Sequence, residues 1–296
     1  MSILHACLSI SFFTESDTNS QDYRRKMLKF HRMQDYTFPE LREVMKNCKT
    51  IIIPHGLSEQ HGAHLPLDVD IRNADYMSAR LAEGLDCLIA PTLNYSFSGG
   101  MMPGTINCKP NTVSNLIGEI IESLHSMGFL NFIILPGHGG SESVFNLKES
   151  MRILKWVNPA LKDAMIIVTD LIEFSPTSNK LIAEHDYHAA DAETSMMMAW
   201  YPEVVRKDKI KLDEPEVAER LRQDPDSYQY QEKFSDLPQE IVQTSQRTDV
   251  KIGVMGYPMR ACAETGRRIE KEFLENAVPA LKAAIAQADA KRQQMK

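Results

Sequence analysis

Short apolar runs alternate along the chain with longer stretches in which apolar residues recur every three or four positions. The short runs are rich in Ile, Leu and Val, which is typical of strands buried on both faces of a sheet. The longer stretches have the spacing of amphipathic helices. Strands are predicted at 50–53, 88–90, 131–135 and 165–168. Helices are predicted at 34–48, 72–84, 112–127, 141–156 and 262–292, with a break in the last near Pro279.

The alternation of strands and helices predicts the fold class. Repeated strand–helix–strand units give a parallel sheet with right-handed connections and helices on both faces. We therefore expect an α/β protein with three layers, α/β/α, and a mainly parallel central sheet. Residues 34–296 are predicted to form a single domain, in which 94–110 is a structured loop and 202–246 is a polar excursion.

Residues 1–33 are predicted to be an N-terminal extension ahead of this domain. Their apolar segment, 3–13, is shorter than the ~20 residues that a membrane-spanning helix needs. No basic region precedes this segment and no small-residue cleavage site follows it. An upstream extension or a start-site artefact is therefore favoured over a degenerate export signal.

Composition narrows the range of partners. The chain has 296 residues and a net charge of −7, which argues against a nucleic-acid surface because phosphate binding needs clustered Lys and Arg. Its five cysteines form no C-x-x-C pair, a pattern that indicates reduced thiols in a cytoplasmic protein. We expect a small molecule, and neither nucleic acid nor a membrane, as the partner.

Histidines and carboxylates concentrate just after the predicted strands. In open parallel sheets the ligand site lies beyond the carboxyl ends of the strands, so these side chains should converge. Imidazole and carboxylate groups together form the ligand set of Zn²⁺, Mn²⁺ and Fe²⁺. The candidates are Glu59, His61, His64, Asp68 and Asp70 after the first strand, His138 after the third, and His188 and Glu193 after the fourth.

The segments that carry these residues resemble the creatininase family, also called creatinine amidohydrolases. Residues 54–70, PHGLSEQHGAHLPLDVD, resemble the family pattern PxGSxExHGxHLPLxxD. Four shorter elements follow in the family's order between about residue 37 and about residue 282. They are MPGTIN at 102–107, GHGGS at 137–141, HAADAETS at 188–195 and GVMGYP at 253–258.

The resemblance implies a dinuclear centre with two divalent metal ions per chain, Zn²⁺ or Mn²⁺, or else Fe²⁺. By analogy Glu59 and His138 hold one ion, His61 and Glu193 hold the other, and Asp70 bridges both. Further implied roles are a proton shuttle at His188, a catalytic as well as a ligand role for Glu193, a substrate pocket shaped by Gly104 and Thr105, and ligand-orienting contacts from His64 and Asp68. Family members often form hexamers, so a homo-oligomer is expected.

Several residues near the predicted ligands have a second interpretation. His64 can equally be a structural histidine, and Asp68 a solvated loop acid. Asp186 is interpreted as a bystander. Asp191 should face away from the metals if 189–198 is helical and Glu193 faces them, since a two-residue offset does not share a helix face.

The chain also departs from the family pattern. Gly139 and Gly140 replace a Tyr-Glu pair of creatininase, Ser141 replaces the usual Asn, and the loop at 98–102 lacks a His. These departures disfavour creatinine itself as the substrate. We expect a metal-activated water to hydrolyse a C–N bond of a small amide, either a cyclic amide or a formamide. The alternatives are a peptidase acting on a modified peptide and a metal-binding scaffold without catalysis.

Overall fold

The computed structural model describes residues 31–169 and 171–295. Its central strands are β1 (Thr50–His55), β2 (Leu88–Ile89), β3 (Asn131–Pro136) and β4 (Met165–Val168). They form a parallel sheet in the order β2-β1-β3-β4. Both β1 and β3 are buried along their whole length, which explains their largely apolar sequences. A separate antiparallel hairpin pairs β5 (Gln229–Glu232) with β6 (Gln243–Gln246).

Helices flank the central sheet. The α-helices of the described residues are α1 (Phe38–Val44), α2 (Val69–Leu85), α3 (Pro110–Met127), α4 (Ser141–Val157), α5 (Pro176–Ala183), α6 (Asp191–Trp200), α7 (Pro215–Gln223) and α8 (Ala263–Gln294). Helices α2, α6 and α8 pack together, and α3 packs against α4. The predicted α/β fold with a mainly parallel sheet is confirmed.

Three predicted helices have different bounds in the structure. Helix α1 begins at Phe38, where Thr37 and Glu40 form a capping box. Helix α2 begins at Val69, so Asp70 lies in its first turn and not in the preceding loop. The predicted break near Pro279 is wrong, because α8 runs through the proline without interruption. Burial of flanking apolar residues on the core outweighs the hydrogen bond that the proline removes.

The start of the described chain packs on the edge of the sheet. The Ile89 amide donates to the carbonyl of His31 at 2.8 Å, and Arg32 makes a paired salt bridge with Asp75 at 2.6 and 2.7 Å. Most of the predicted extension, residues 1–30, lies outside the described part of the chain. Within the described residues, no helix combines the length and the apolar character needed to cross a bilayer.

Two glycines let the N-terminus of α2 approach the strand ends closely. A Cβ atom on Gly56, just after β1, would lie 2.5 Å from the carbonyl carbon of Asp70. A Cβ atom on Gly137, just after β3, would overlap the carbonyl oxygen of Asp70. Only glycine allows backbone to pass this close to backbone, so these positions fix where Asp70 sits at the edge of the sheet.

Replacing Gly137 with alanine therefore forces α2 away from β3. We expect Gly137→Ala to lower the free energy of unfolding by about 2 kcal/mol or more, measured by urea denaturation. Gly139→Ala is the matched control, because its Cβ would meet Ile172 at an ordinary 3.6 Å. The control should change stability by less than about 0.5 kcal/mol. Equal effects of the two substitutions would contradict this explanation.

Candidate metal centre

The loop after β1 supplies the first two candidate ligands. The Glu59 amide donates to the carbonyl of Leu67 at 2.9 Å, which closes the loop over the start of α2. His61 is fully buried, and its Nδ1 lies 3.2 Å from the Glu59 carbonyl oxygen. A carbonyl only accepts, so Nδ1 carries the proton of the neutral ring and Nε2 is free to bind a cation.

Asp70 lies between the two histidines of the centre. Its side chain is fully buried, with Oδ1 3.3 Å from His61 Nε2 and Oδ2 3.6 Å from His138 Nδ1. His138 Nδ1 also lies 3.1 Å from Glu59 Oε2. One carboxylate oxygen thus faces each imidazole, which is the arrangement that a bridging ligand needs.

Helix α6 places Glu193 beside the same nitrogen of His61 that Asp70 faces. Glu193 Oε2 lies 3.5 Å from His61 Nε2 and accepts the Ala189 amide at 2.6 Å. Asp186 caps the same helix, because its carboxylate accepts the amides of Asp191 and Ala192 at 2.7 and 2.9 Å. Asp186 belongs to none of the candidate metal groups and has a structural role instead, because the cap sets the direction of the first turn that carries Glu193.

His188 lies beside the ligands. Its ring centroid is 4.4 Å from that of His61, and its Nε2 lies 2.7 Å from the carbonyl oxygen of Gln60. The Gln60 side-chain nitrogen lies farther from Nε2, at 3.0 Å. Because the carbonyl is the shorter contact and can only accept a hydrogen bond, Nε2 is assigned the proton of the neutral ring and Nδ1 the lone pair.

These side chains form three overlapping groups whose possible ligand atoms lie within 4.8 Å of one another. The groups are Glu59, Asp70 and His138; His61, Asp70 and Glu193; and Glu59, His61 and His188. Several of the atoms are buried without a hydrogen-bond partner of good geometry, namely Glu59 Oε2, His61 Nε2 and both carboxylate oxygens of Asp70. Buried oxygen and nitrogen atoms with free lone pairs are suitable ligands for divalent cations, so the residues suit the metals that the sequence predicts.

Electrostatics explains why this centre needs positive charge. Burial opposes ionisation of Asp70 and Glu193, but the adjacent histidines outweigh it and lower the pKa of each carboxyl to about 2. Burial likewise opposes protonation of His61, yet Glu193 and Asp70 raise its pKa well above the ordinary value. The pKa of His138 is raised in the same way, against burial, by Glu59 and Asp70. Without metal ions, protons on these rings balance the carboxylates.

The structure places the other predicted site residues at the back of the ligand loop. His64 is fully buried and bonds through Nε2 to Thr194 Oγ1 at 2.9 Å. Asp68 pairs with Arg72 at 2.8 Å, facing away from the candidate ligands. The Gly104 carbonyl accepts from Ser58 Oγ at 2.8 Å, and Thr105 Oγ1 accepts the Gln60 amide at 3.1 Å.

Asp191 also turns away from the ligands, as its helical offset predicts. Its carboxylate accepts a hydrogen bond from Ser195 at 2.9 Å. This contact lies within α6 and leaves Glu193 as the acid that faces His61.

A cavity of about 290 Å³ opens above the candidate ligands. Its walls include Glu142, Asp226 and Tyr228, none of which stood out in the sequence. The last two belong to the polar segment 202–246, where no periodic pattern marks a functional residue. Gln60 was also missed as a partner of His188, although it lies within the ligand motif itself.

Asp70 is the residue that two of the candidate metal groups share. We expect Asp70→Asn to lose at least one of the two predicted metal equivalents, measured by elemental analysis after loading with Zn²⁺ or Mn²⁺ and dialysis. Asp68→Asn, two residues away, should keep full loading because its carboxylate contacts Arg72. Equal loss in both variants would show that the structure places the centre wrongly.

Metal binding should depend on pH because cations must displace protons from His61 and His138. In the metal-free chain, the raised pKa values stabilise the fold below the unfolded-state pKa, and this gain is lost as pH rises through the folded-state pKa. Metal binding instead becomes stronger as pH rises, because the two rings must lose protons before they can bind cations. We expect the thermal stabilisation by Zn²⁺ to be larger at pH 8 than at pH 6; an equal or reversed difference would contradict it.

Comparisons with known proteins identify the family of this chain. The sequence model of the creatininase family, described as creatinine amidohydrolase, matches residues 34–281. The creatinine amidohydrolase of Pseudomonas putida is 25% identical over 60% of this chain and 73% of its own. The mycofactocin precursor peptide peptidase of Mycolicibacterium smegmatis is 24% identical over 81% of this chain and 87% of its own.

The fold has solved counterparts. A structure described as manganese creatininase has a TM-score of 0.66 and 20% identity, covering 86% of this chain and 99% of that one. The predicted creatininase-like fold and the hydrolase class that accompanies the family are confirmed. The chain belongs to the creatininase family of creatinine amidohydrolases.

Proposed function

We propose that this chain is a metal-dependent hydrolase that cleaves a C–N bond of a small amide, either a cyclic amide or a formamide. The observation that carries this proposal is the pair of three-residue groups that share the buried Asp70. Three of their members, Glu59, His138 and Glu193, line the cavity. Two such groups side by side are the arrangement of a dinuclear hydrolytic centre.

The two ions are assigned to the two groups that contain Asp70. Glu59 and His138 would hold one and His61 and Glu193 the other, with Asp70 between them. The nitrogen and oxygen ligands of this set suit Zn²⁺ or Mn²⁺, and they can also bind Fe²⁺. When bound, such ions activate water as a nucleophile and polarise the carbonyl under attack.

His188 is proposed to move the proton to the leaving nitrogen. Its Nε2–H is fixed by the Gln60 carbonyl, so Nδ1 is the atom that would take up and release a proton. The ring packs on His61, which keeps it next to the ligands without requiring it to bind metal. Glu193 also lines the cavity, and it would contribute to catalysis as a ligand of the ion that it holds with His61.

The cavity limits the substrate to a small molecule. About 290 Å³ is at the lower end of the volumes that small-molecule pockets have. Gly104 and Thr105 would shape this pocket indirectly, because they hold the Ser58 hydroxyl and the Gln60 amide by hydrogen bonds. His64 would act through Thr194, one residue from Glu193. Creatinine remains disfavoured because Gly139 and Gly140 stand where creatininase has its Tyr-Glu pair.

A peptidase acting on a modified peptide is the second candidate. The observation that favours it is the longer alignment with the mycofactocin precursor peptide peptidase, which covers 81% of this chain against 60% for creatinine amidohydrolase. A homo-oligomer such as a hexamer and a cytoplasmic location remain predictions from the family resemblance and from the cysteine content.

Removing single ligands tests the catalytic proposal against a scaffold without activity. Metal-loaded protein is screened with cyclic amides, formamides and short modified peptides. We expect Glu59→Gln and His138→Ala to lower kcat/KM for the best substrate by at least about a thousandfold, with the fold intact by circular dichroism. His125→Ala is the control, because His125 pairs with Asp163 outside the cavity and should leave turnover unchanged.

Two results would contradict the proposal. Unchanged turnover in either ligand variant would remove the metal centre from the reaction. Full metal loading without hydrolysis of any compound in the screen would favour the scaffold.

A further inference from the structure

The cavity above the candidate metal centre has acidic residues in its walls but no basic ones. Among the described residues that line it, the charged side chains outside the metal groups are Glu142 and Asp226, and no Lys or Arg is present. We call these two residues the acidic wall. A substrate that enters the cavity therefore meets negative charge away from the reacting bond.

The acidic wall is free to bind a ligand. Glu142 lies in the first turn of α4, and its nearest hydrogen-bond donor is Ser141 Oγ at a long 3.5 Å. Asp226 is exposed, and among the described residues its carboxylate makes no hydrogen bond or ion pair that would occupy it. Both carboxylates act on the phenol of Tyr228, whose pKa is raised first by burial and then by charges that include Glu142 and Asp226.

The arginines around the cavity are already paired with other acids. Arg222 contacts Glu219 at 2.6 Å. Arg220 and Arg247 both contact Asp249, at 3.0 and 3.1 Å. Each of these guanidinium groups lies beside an acid outside the cavity, and none of the three arginines belongs to the cavity lining.

The metal ions do not neutralise it either. Glu59, Asp70 and Glu193 would offset most of the positive charge of two divalent ions within the centre itself. The wall nevertheless connects with the centre, because a Cβ on Gly140 would lie 2.3 Å from His138 Nε2 and 3.0 Å from Glu142 Oε1. Glycine at this position keeps the passage between them open. Glu59, only 7% exposed, lines the same cavity from the side of the candidate metal centre.

We propose that the substrate carries a cationic group, an ammonium or an amidinium, which binds the acidic wall while its amide lies over the metal centre. This inference rests on the proposed function and specifies its substrate class. Ile172, Ile182, Val250 and Met255 line the same cavity and would contact the alkyl part between the cation and the amide. A phosphate or carboxylate in place of the cation would meet repulsion at the acidic wall, where no Lys or Arg of the described lining offsets Glu142 and Asp226.

Three acetamides of similar size test the charge preference by calorimetric titration of the metal-loaded protein. They are N-(2-aminoethyl)acetamide, which is cationic, N-propylacetamide, which is neutral, and N-acetylglycine, which is anionic. We expect the cationic compound to bind roughly tenfold more tightly than the neutral one, with the anion weakest and the preference reduced by salt.

Two substitutions assign the preference to the acidic wall. Glu142→Gln and Asp226→Asn should each lower the cationic preference roughly threefold at low salt, and together abolish it. Glu119→Gln removes the same charge from an exposed position on α3 outside the cavity and should change nothing.

The outcomes separate this inference from the proposed function. Three results would overturn the proposal that the acidic wall binds a cation. They are equal affinity for the three compounds, no binding of the cationic one at millimolar concentration, and a preference unaffected by the double variant. A charge preference that follows Glu142 and Asp226, in a protein that hydrolyses no amide, supports the wall and counts against the proposed hydrolase activity instead.

Discussion

Three carboxylates buried at one edge of the sheet are the constraint on which this protein depends. Glu59, Asp70 and Glu193 are brought within a few ångströms of His61 and His138, in a place that water barely reaches. Such a concentration of negative charge is unstable unless cations share it, whether they are protons on the imidazoles or metal ions. The close passage of α2 past Gly56 and Gly137 holds Asp70 in this position.

The sequence predicted those parts of the site that depend on local patterns. Short β-branched runs marked the strands, and because parallel strands end at a common edge, the residues after them had to converge. The start of α2 was placed three residues late because the ligand motif, with its Pro66 and acidic residues, does not look helical. The continuity of α8 through Pro279 was also missed, since packing on the core overrode a local helix breaker.

The cavity walls could not be predicted because they form from contacts between distant segments. Tyr228 donates to the carbonyl of Ser98 at 3.1 Å, which joins residues that are 130 positions apart. Asp213 accepts three consecutive amides at 251–253, and this fixes another part of the lining. Neither contact has a periodic or motif signal. The candidate ligands thus lie in segments that follow the family pattern, whereas the acidic wall combines Glu142 of α4 with Asp226 of the polar segment.

Anomalous diffraction from crystals loaded with Mn²⁺ or Zn²⁺ tests the central claim most directly. We expect two peaks at the sheet edge, one beside Glu59 and His138 and one beside His61 and Glu193, with a carboxylate oxygen of Asp70 facing each. A centre with no bound ion, or ions that bind without contacting Asp70, would contradict it.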